Sequence, residues 1–530
     1  MSNGYDLKSV KLPRLVGTGL RTLVALMENP ATRGLIIPNL LQSGGITQLR
    51  ELTLDDPPTF LPRWDARVAN AAPLDPSLNS GQVLARFAQT ARPGGKGFAF
   101  ATTRAYHDAY RSGATTPEKI AEQVLAAIGN SNARTPALRA IVACLRDDVI
   151  AQARASAKRW RAGKPLSVFD GVPVAVKEEF DMVPYGTTWG TRFLGKTPAR
   201  ADATVVARMR VAGALLIGKA NMHEIGIGVT GLNPHWGVTR NPYNVAHHTG
   251  GSSSGSATAV AAGLCPAALS ADGGGSIRIP AGFCGVVGLK PTFGRVSEFS
   301  SAALCWSVAH NGPIAATAED VALMYALIAG PDPKDDQTLH QPPVTLDRFD
   351  DFDLRDLTIG IFTPWFEHAS PAMVEGCKKM VAAFQAMGAR VVEIEIPELE
   401  AARVAHVITI TSEMCAVLDK EYAAHRADFG LDVRTNLALA RSFTAPDYLQ
   451  AQRVRTRALA HFQRALEQVN VILTPVAGCV APKIPPDALP EGESDLTTLM
   501  EIMRFATPGN LTGLPAISFP AGYDAAGLPI

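Results

Sequence analysis

The sequence lacks a cysteine framework. Its seven cysteines (Cys144, Cys265, Cys284, Cys305, Cys377, Cys415 and Cys479) are odd in number and scattered, and no two form a C-x-x-C pair. That argues against a disulfide-stapled scaffold and points to a reducing compartment, the cytoplasm. Charge of one sign is lacking too: 50 Lys and Arg stand against 49 Asp and Glu, a formal net charge of +1. A nucleic-acid binder needs a surplus of Lys and Arg on one face, so no nucleic-acid partner is expected. The first residues hold no basic segment followed by an apolar run, so no secretory signal is read there. One uncharged stretch, residues 249–271, is long enough to cross a bilayer. It is mostly Gly, Ser and Ala, with Pro266 near its end. It lacks the Leu, Ile and Phe content that drives insertion.

What is present is globular: 47% of the 530 residues are hydrophobic and 19% charged, with 46 Gly and 38 Pro for turns. The length suits two to four units or one large α/β domain.

Residues 1–97 read as an N-terminal helical and irregular extension. Leu12, Leu15, Val16, Leu20, Leu23, Val24 and Met27 recur at three- and four-residue spacings, an amphipathic helix that Pro30 ends. A second apolar stretch covers Leu35, Ile36, Ile37, Leu40 and Leu41. These helices cap the main domain, or their apolar face lies in a lipid interface, guards an apolar channel or pairs with a second copy. Residues 55–97, rich in Pro, Asp, Asn and Gly, read as irregular chain.

From about residue 98 the pattern alternates. Thr116 before Pro117 and Glu118 marks a capped helix start. Residues 171–176 read as a strand that stops at Lys177. Residues 203–218 and 371–396 each read as helix, then Gly, then strand. Such alternation predicts an α/β fold, a sheet covered by helices.

Three segments are abnormal for mere structure: Gly250-Gly251-Ser252-Ser253-Ser254-Gly255-Ser256-Ala257, then Asp272-Gly273-Gly274-Gly275-Ser276-Ile277-Arg278-Ile279-Pro280, and Lys177 at its strand end. Consecutive glycines cost backbone entropy on ordering. They suit a place where amide N–H groups must face a phosphate or an oxyanion. No G-x-x-x-x-G-K-[ST] and no strand-to-helix G-x-G-x-x-G supports phosphate. Ser276 directly after three glycines suits an oxyanion site, where a nucleophile lies beside its own hydrogen-bond donors. A flexible turn with a solvated Ser fits the local sequence equally well. A Ser nucleophile needs a base. No His lies in a G-x-S-x-G or H-E-x-x-H context, and His247-His248 read as structural or surface residues. Lys is the alternative, provided it is held neutral by burial or dipoles. Lys177 follows a buried-looking strand and suits this. Glu178 and Glu179 would oppose neutrality if they faced it, so both are expected to point elsewhere.

These segments together resemble the amidase signature family. Lys177, GGSSSGSA and DGGGSIRIPAGFCGVVGLKPT occur in the family's order and spacing, over roughly residue 100 to the end. GKANMHEIGIGVTG, RSFTAPDYLQAQRVR and MRFATPGNLTGLPAISFPAGYD are most similar to its plant-type fatty acid amide hydrolase subgroup. The resemblance implies a large mixed central sheet covered by helices over residues 98–530, and a small-molecule, lipid-like amide as substrate. It implies Ser276 as acyl-forming nucleophile, Ser252 as the bridging Ser after a cis peptide, and Lys177 as base. Amides of Gly273, Gly274, Gly275 and Ser276 would form the oxyanion hole, with no metal and no cofactor. Ser253 is expected to hydrogen-bond within the relay, and Asp272 and Arg278 to pair and brace the loop. Ile225 is expected to line the acyl pocket, and Cys284 to pack in the core. The rival readings are an amidase of short or aryl amides and a glutamine-dependent amidotransferase-like subunit. The location implied is cytoplasmic, with peripheral membrane contact through the N-terminal helices. Glu178, Ala271 and Ser254 stand where many members have Asp, Thr and Gly. The family pattern implies one more strand and helix after Ile530.

Overall fold

The structure is a computed structural model that describes residues 4–9, 11–59, 101–302, 304–342, 344, 346, 353–488 and 491–530. Its centre is a mixed seven-stranded sheet. The strands are β1 (Ile141–Ala143), β2 (Pro173–Lys177), β3 (Leu215–Ala220), β4 (Ala267–Ala271), β5 (Val287–Lys290), β6 (Asn311–Ala315) and β7 (Ala516–Ser518). They lie side by side in the order β7-β5-β6-β4-β2-β3-β1. The three central strands β4, β2 and β3 run parallel, and the outer pairings are antiparallel. Every residue of β2 and β3 is buried. Strands covered on both faces need the near-continuous apolar runs seen in residues 172–176 and 214–217.

The chain leaves β2, returns beside it as β3 through the helix Thr204–Val211, and then crosses to the other side as β4 through the helix Ser254–Ala261. The order therefore reverses at β2. In open α/β sheets such a reversal opens a crevice beyond the carboxyl ends of the strands. Lys177 ends β2 and Ala271 ends β4, so both border that crevice.

The capped start is as read: the Thr116 side chain accepts from Lys119 N, and Pro117 opens the helix Pro117–Ala133. Gly213 and Gly388, at φ +86° and +104°, make the two expected helix-to-strand turns. The second unit does not join the central sheet, however. Its strand Arg390–Glu393 pairs with Thr358–Ile361, beside Val471–Ile472, in a separate parallel sheet. Residues 254–261 of the uncharged stretch form a fully buried helix.

The N-terminal helix is shorter than its periodicity suggests. It spans Gly17–Glu28, because Leu15–Val16 pair as a strand with Glu493–Ser494 and Leu12 N donates to Thr497 Oγ1. Leu20, Val24 and Met27 are buried. Glu28 binds Arg434 at 2.7 Å and accepts from the Tyr422 hydroxyl at 2.8 Å. The apolar face thus covers this chain's own helix Leu431–Ala440, as a cap does. The helix Arg33–Ser43 turns Leu35 outward, 74% exposed. Residues 55–59 are irregular, as expected, and residues 60–97 of that expectation lie outside the described residues. Among the described residues no single helix is long and apolar enough to cross a membrane.

Candidate active site

The crevice brings Lys177, Ser252 and Ser276 to one narrow cleft of about 30 Å³. Lys177 is 1% exposed, at the end of a strand with no exposed face. Its Nζ donates to Ser252 Oγ at 2.9 Å and to the Ala271 carbonyl at 3.2 Å. The Gly251–Ser252 peptide is cis. Ser276 is 5% exposed and follows the loop that leaves β4. Among the described residues its hydroxyl makes no hydrogen bond, whereas the Ser252 hydroxyl already holds Lys177.

Two expectations, for Glu179 and for Ser253, need correction. Glu179 does face it, with Oε1 3.1 Å from Nζ, while Glu178 turns to Lys219 at 3.5 Å. The strand ends at Lys177 and the chain turns at residues 178–179, where Phe180 N donates to the Lys177 carbonyl, and this turn brings Glu179 back beside Nζ. Ser253 does not touch the relay hydroxyls. Its Oγ donates to the Ala271 carbonyl at 3.1 Å, the same oxygen that Lys177 uses, and its N–H donates to the Ser276 carbonyl.

Asp272 and Arg278 brace the loop as expected, and the brace is larger than a pair. Asp272 is fully buried and accepts from Arg278 Nε at 3.0 Å, Arg278 Nη2 at 3.1 Å and Asn510 Nδ2 at 2.9 Å. Burial works to raise its pKa, but the charge and hydrogen bonds of Arg278 and the charge of Lys290 hold the carboxyl well below the usual carboxylate range. Asp272 also accepts from Gly275 N at 2.7 Å and Ile277 N at 3.0 Å. The Gly275 amide is therefore already engaged, which departs from the expected four-donor hole. The amides of Gly273, Gly274 and Ser276 have no acceptor among the described residues.

Ile225 does not line the cleft; Gly226 does. Ile225 packs behind it, in the apolar cluster that contains Leu304 and Met414, and holds an unusual φ of +46°. Leu304, Ile410 and Met414 form the apolar part of the cleft wall, and Glu179, Glu298 and Asn311 the polar part. Burial, then the negative Asp335, Glu179 and Glu413, push the Glu298 pKa well above the usual range. Cys284 is buried, with Sγ toward the Thr249 carbonyl, as expected of core packing. His247 and His248 are both buried and structural, so the surface alternative drops out.

Sequence reasoning missed Glu298, Asn510 and His406. His406 lies on the helix Leu399–Val417, and its Nε2 is 2.8 Å from the Gly273 carbonyl. Each reaches the site from a distant segment, and none carries a local signal. Glu179 reaches Lys177 through the turn at residues 178–179, which carries no side-chain period to be read from the sequence.

The geometry accords with comparisons to known proteins. The amidase family model matches residues 122–530. The fatty acid amide hydrolase of Oryza sativa subsp. indica is 39% identical, over 99% of this chain and 90% of that protein. A glutamyl-tRNA(Gln) amidotransferase subunit of Neisseria meningitidis serogroup B is 34% identical, over 78% of this chain and 89% of that protein. The solved structure of the peptide amidase PAM with the competitive inhibitor chymostatin superposes with a TM-score of 0.70 at 28% identity, over 81% of this chain and 92% of that one. With a family model spanning most of its length and a near full-length relative at 39% identity, this chain belongs to the amidase signature family and is an amide hydrolase.

Proposed function

We propose that this protein is a serine amidase that hydrolyses N-acyl amides with long apolar acyl chains, fatty acid amides and N-acylethanolamines, through an acyl-enzyme on Ser276. The observation that carries the mechanism is the buried Lys177–Ser252 contact, at 2.9 Å, in one cleft with Ser276 and its acceptor-free loop amides. The Ser252 hydroxyl lies beside Lys177 Nζ, and Glu179 Oε1 stands 3.1 Å from the same nitrogen with no hydrogen-bond partner among the described residues.

Catalysis follows from that arrangement. Ser276 Oγ gives its proton to Ser252 Oγ as it attacks the amide carbon, and Ser252 passes its own proton to Lys177 Nζ. The carbonyl oxygen takes up negative charge against the amides of Gly273, Gly274 and Ser276. Donors fixed before the reaction are worth more here than in water. Lys177 then returns the proton through Ser252 to the leaving nitrogen, and the C–N bond breaks. Water attacks the ester by the same relay, releasing acid and restoring Ser276. The relay needs no metal or cofactor.

Two observations support the lipid substrate. Likeness to the rice fatty acid amide hydrolase covers 99% of the chain, N-terminal extension included, against 78% for the Neisseria amidotransferase protein. The cleft wall at Leu304, Ile410 and Met414 continues into an apolar cluster with Ile225, Leu418 and Phe429. One observation favours short or aryl amides instead: the space at Ser276 is only about 30 Å³.

Hydrolysis of N-acylethanolamines and primary amides from two to twenty carbons, beside Ser276→Ala, tests both. The expected result is a kcat/KM that climbs with chain length and a dead variant. A preference for short or aryl amides would overturn the lipid reading, and an active Ser276→Ala the nucleophile.

A further inference from the structure

His406 is fully buried on the helix Leu399–Val417, far in sequence from every motif that builds the site. Its Nε2 lies 2.8 Å from the Gly273 carbonyl oxygen. A carbonyl only accepts, so Nε2 carries the proton and the ring is the Nε2–H tautomer. Among the described residues Nδ1 has no hydrogen-bond partner, so there the ring is anchored by the Nε2 bond. Burial pushes the His406 pKa down to about 4, against the opposing pull of Gly273 and Asp272, so the ring is neutral at pH 7.

The consequence lies in the peptide unit that His406 holds. In a planar trans peptide the C=O and the following N–H point in opposite directions. Fixing the Gly273 carbonyl toward His406 therefore fixes the Gly274 N–H away from it. That N–H has no acceptor among the described residues. The next peptide is fixed separately, because Gly275 N donates to Asp272 at 2.7 Å. Three glycines in a row cannot hold this geometry by their own torsional preferences. Contact with the ring is close as well: a Cβ at Gly274 would stand 3.0 Å from His406 Cε1. Ile410 and Met414 follow at four-residue spacing on the same helix and line the cleft. One helix face thus supplies both the apolar wall and the loop anchor.

We propose that His406 is a positioning residue that aims the Gly274 N–H at the developing oxyanion by pinning the Gly273 carbonyl from behind. This rests on Ser276 being the nucleophile. His406 touches no reacting atom, and its effect is confined to the transition state.

The test compares His406→Gln, whose Nε2 falls near the imidazole Nε2, with His406→Asn, whose amide stops short at the Nδ1 position, and with His406→Met, which has no donor. On the best amide substrate, Met and Asn are expected to lower kcat by about 10²–10³, the range for losing one oxyanion donor. KM stays within about threefold and Gln restores most of the rate, as expected when only transition-state binding is lost. A trifluoromethyl ketone with the same acyl chain, which forms a hemiketal oxyanion on Ser276, should lose affinity in proportion to kcat/KM. Affinity for the product acid should not change. The proposal falls if the ketone binds all variants alike, if Asn performs as well as Gln, or if product-acid affinity falls in step with kcat. Comparing Gln with Asn keeps the test decisive where Met fails to fold. Ser276→Ala is run beside them. An active Ser276→Ala sinks the proposed mechanism itself, whereas a dead Ser276→Ala with unaffected His406 variants sinks only this inference.

Discussion

Lys177 Nζ is 3.1 Å from Glu179 Oε1 and 2.9 Å from Ser252 Oγ, so the proposed base is held between a carboxylate and the hydroxyl it must deprotonate. Both members of the Lys177–Glu179 pair are buried. Removing one of two facing buried polar groups leaves the other unsatisfied at a cost of about 1–3 kcal/mol, whereas replacing both by apolar groups of similar shape can be nearly neutral. Glu179→Leu is expected to lose stability of that order, and the double variant Lys177→Met with Glu179→Leu to regain most of it. Urea unfolding of the two singles and the double checks this. Additive losses would refute the pairing.

The relay makes a graded prediction. Ser276→Ala removes the bond-forming atom, whereas Ser252→Ala leaves the nucleophile in place but without a proton path. General acid–base groups contribute about 10²–10⁴ in rate. Ser252→Ala is therefore expected to lose kcat/KM on that scale, and to react with a fluorophosphonate probe slowly rather than not at all. Labelling of Ser252→Ala at the parent rate would remove Ser252 from the relay.

Asp272 satisfies Arg278, Asn510 and the Gly275 amide together. Asp272→Ala leaves the Arg278 guanidinium buried without its partner, at a cost of about 3–5 kcal/mol. Asp272→Asn keeps an acceptor and is expected to cost less, while losing activity because the loop amides shift. The Asp272 pKa is depressed, so its stabilisation is present above the unfolded value near pH 4 and is lost only as pH falls through its lower folded value. Acid titration between pH 7 and pH 4 should therefore leave the brace intact, and a parent-like acid melting profile for Asp272→Ala in that window would support it.

Asp320 gives the opposite slope. It lies in the first turn of the helix Ala318–Ile328, whose cap is Thr317, accepting from Thr103 N at 2.8 Å and the Thr317 hydroxyl at 2.7 Å, and burial raises its pKa to about 6. Below about pH 4 both the folded and unfolded states hold its proton. Between about pH 4 and pH 6 only the folded state does, so raising pH favours unfolding there. The loss contributed by this group is about 3 kcal/mol and is complete above pH 6. Asp320→Asn is expected to remove that part of the slope. Melting temperatures of parent and variant across pH 4–7 measure it, and parallel curves would contradict it.

Much of this was legible because the chemistry is local. The strand before Lys177 is uniformly apolar, which called for a strand covered on both faces. Gly213 and Gly388 stop helices where a left-handed turn is needed. The glycine run before Ser276 announced exposed amides. Length was harder to read: the periodicity of Leu12, Leu15 and Val16 continues that of Leu20 and Val24, and nothing local reveals that Glu493–Ser494 claims residues 15–16 as a strand. Ile225 was misplaced by one residue, since the cleft is lined at Gly226.

The sequence by itself determined the identity and order of the proposed reactive groups, the alternation of helix and strand, and the glycines that free the loop amides. Each depends on residue type and on spacings of a few residues. Which amides remain free, which carboxylate meets Lys177, and what holds the loop were decided only in three dimensions. Asp272 takes the Gly275 amide, Asn510 arrives from 238 positions away and His406 from 133, as measured to Asp272 and Gly273. Such contacts form between segments joined only by the sheet and its covering helices, and a hydrogen bond between distant segments leaves no period in the chain to be read.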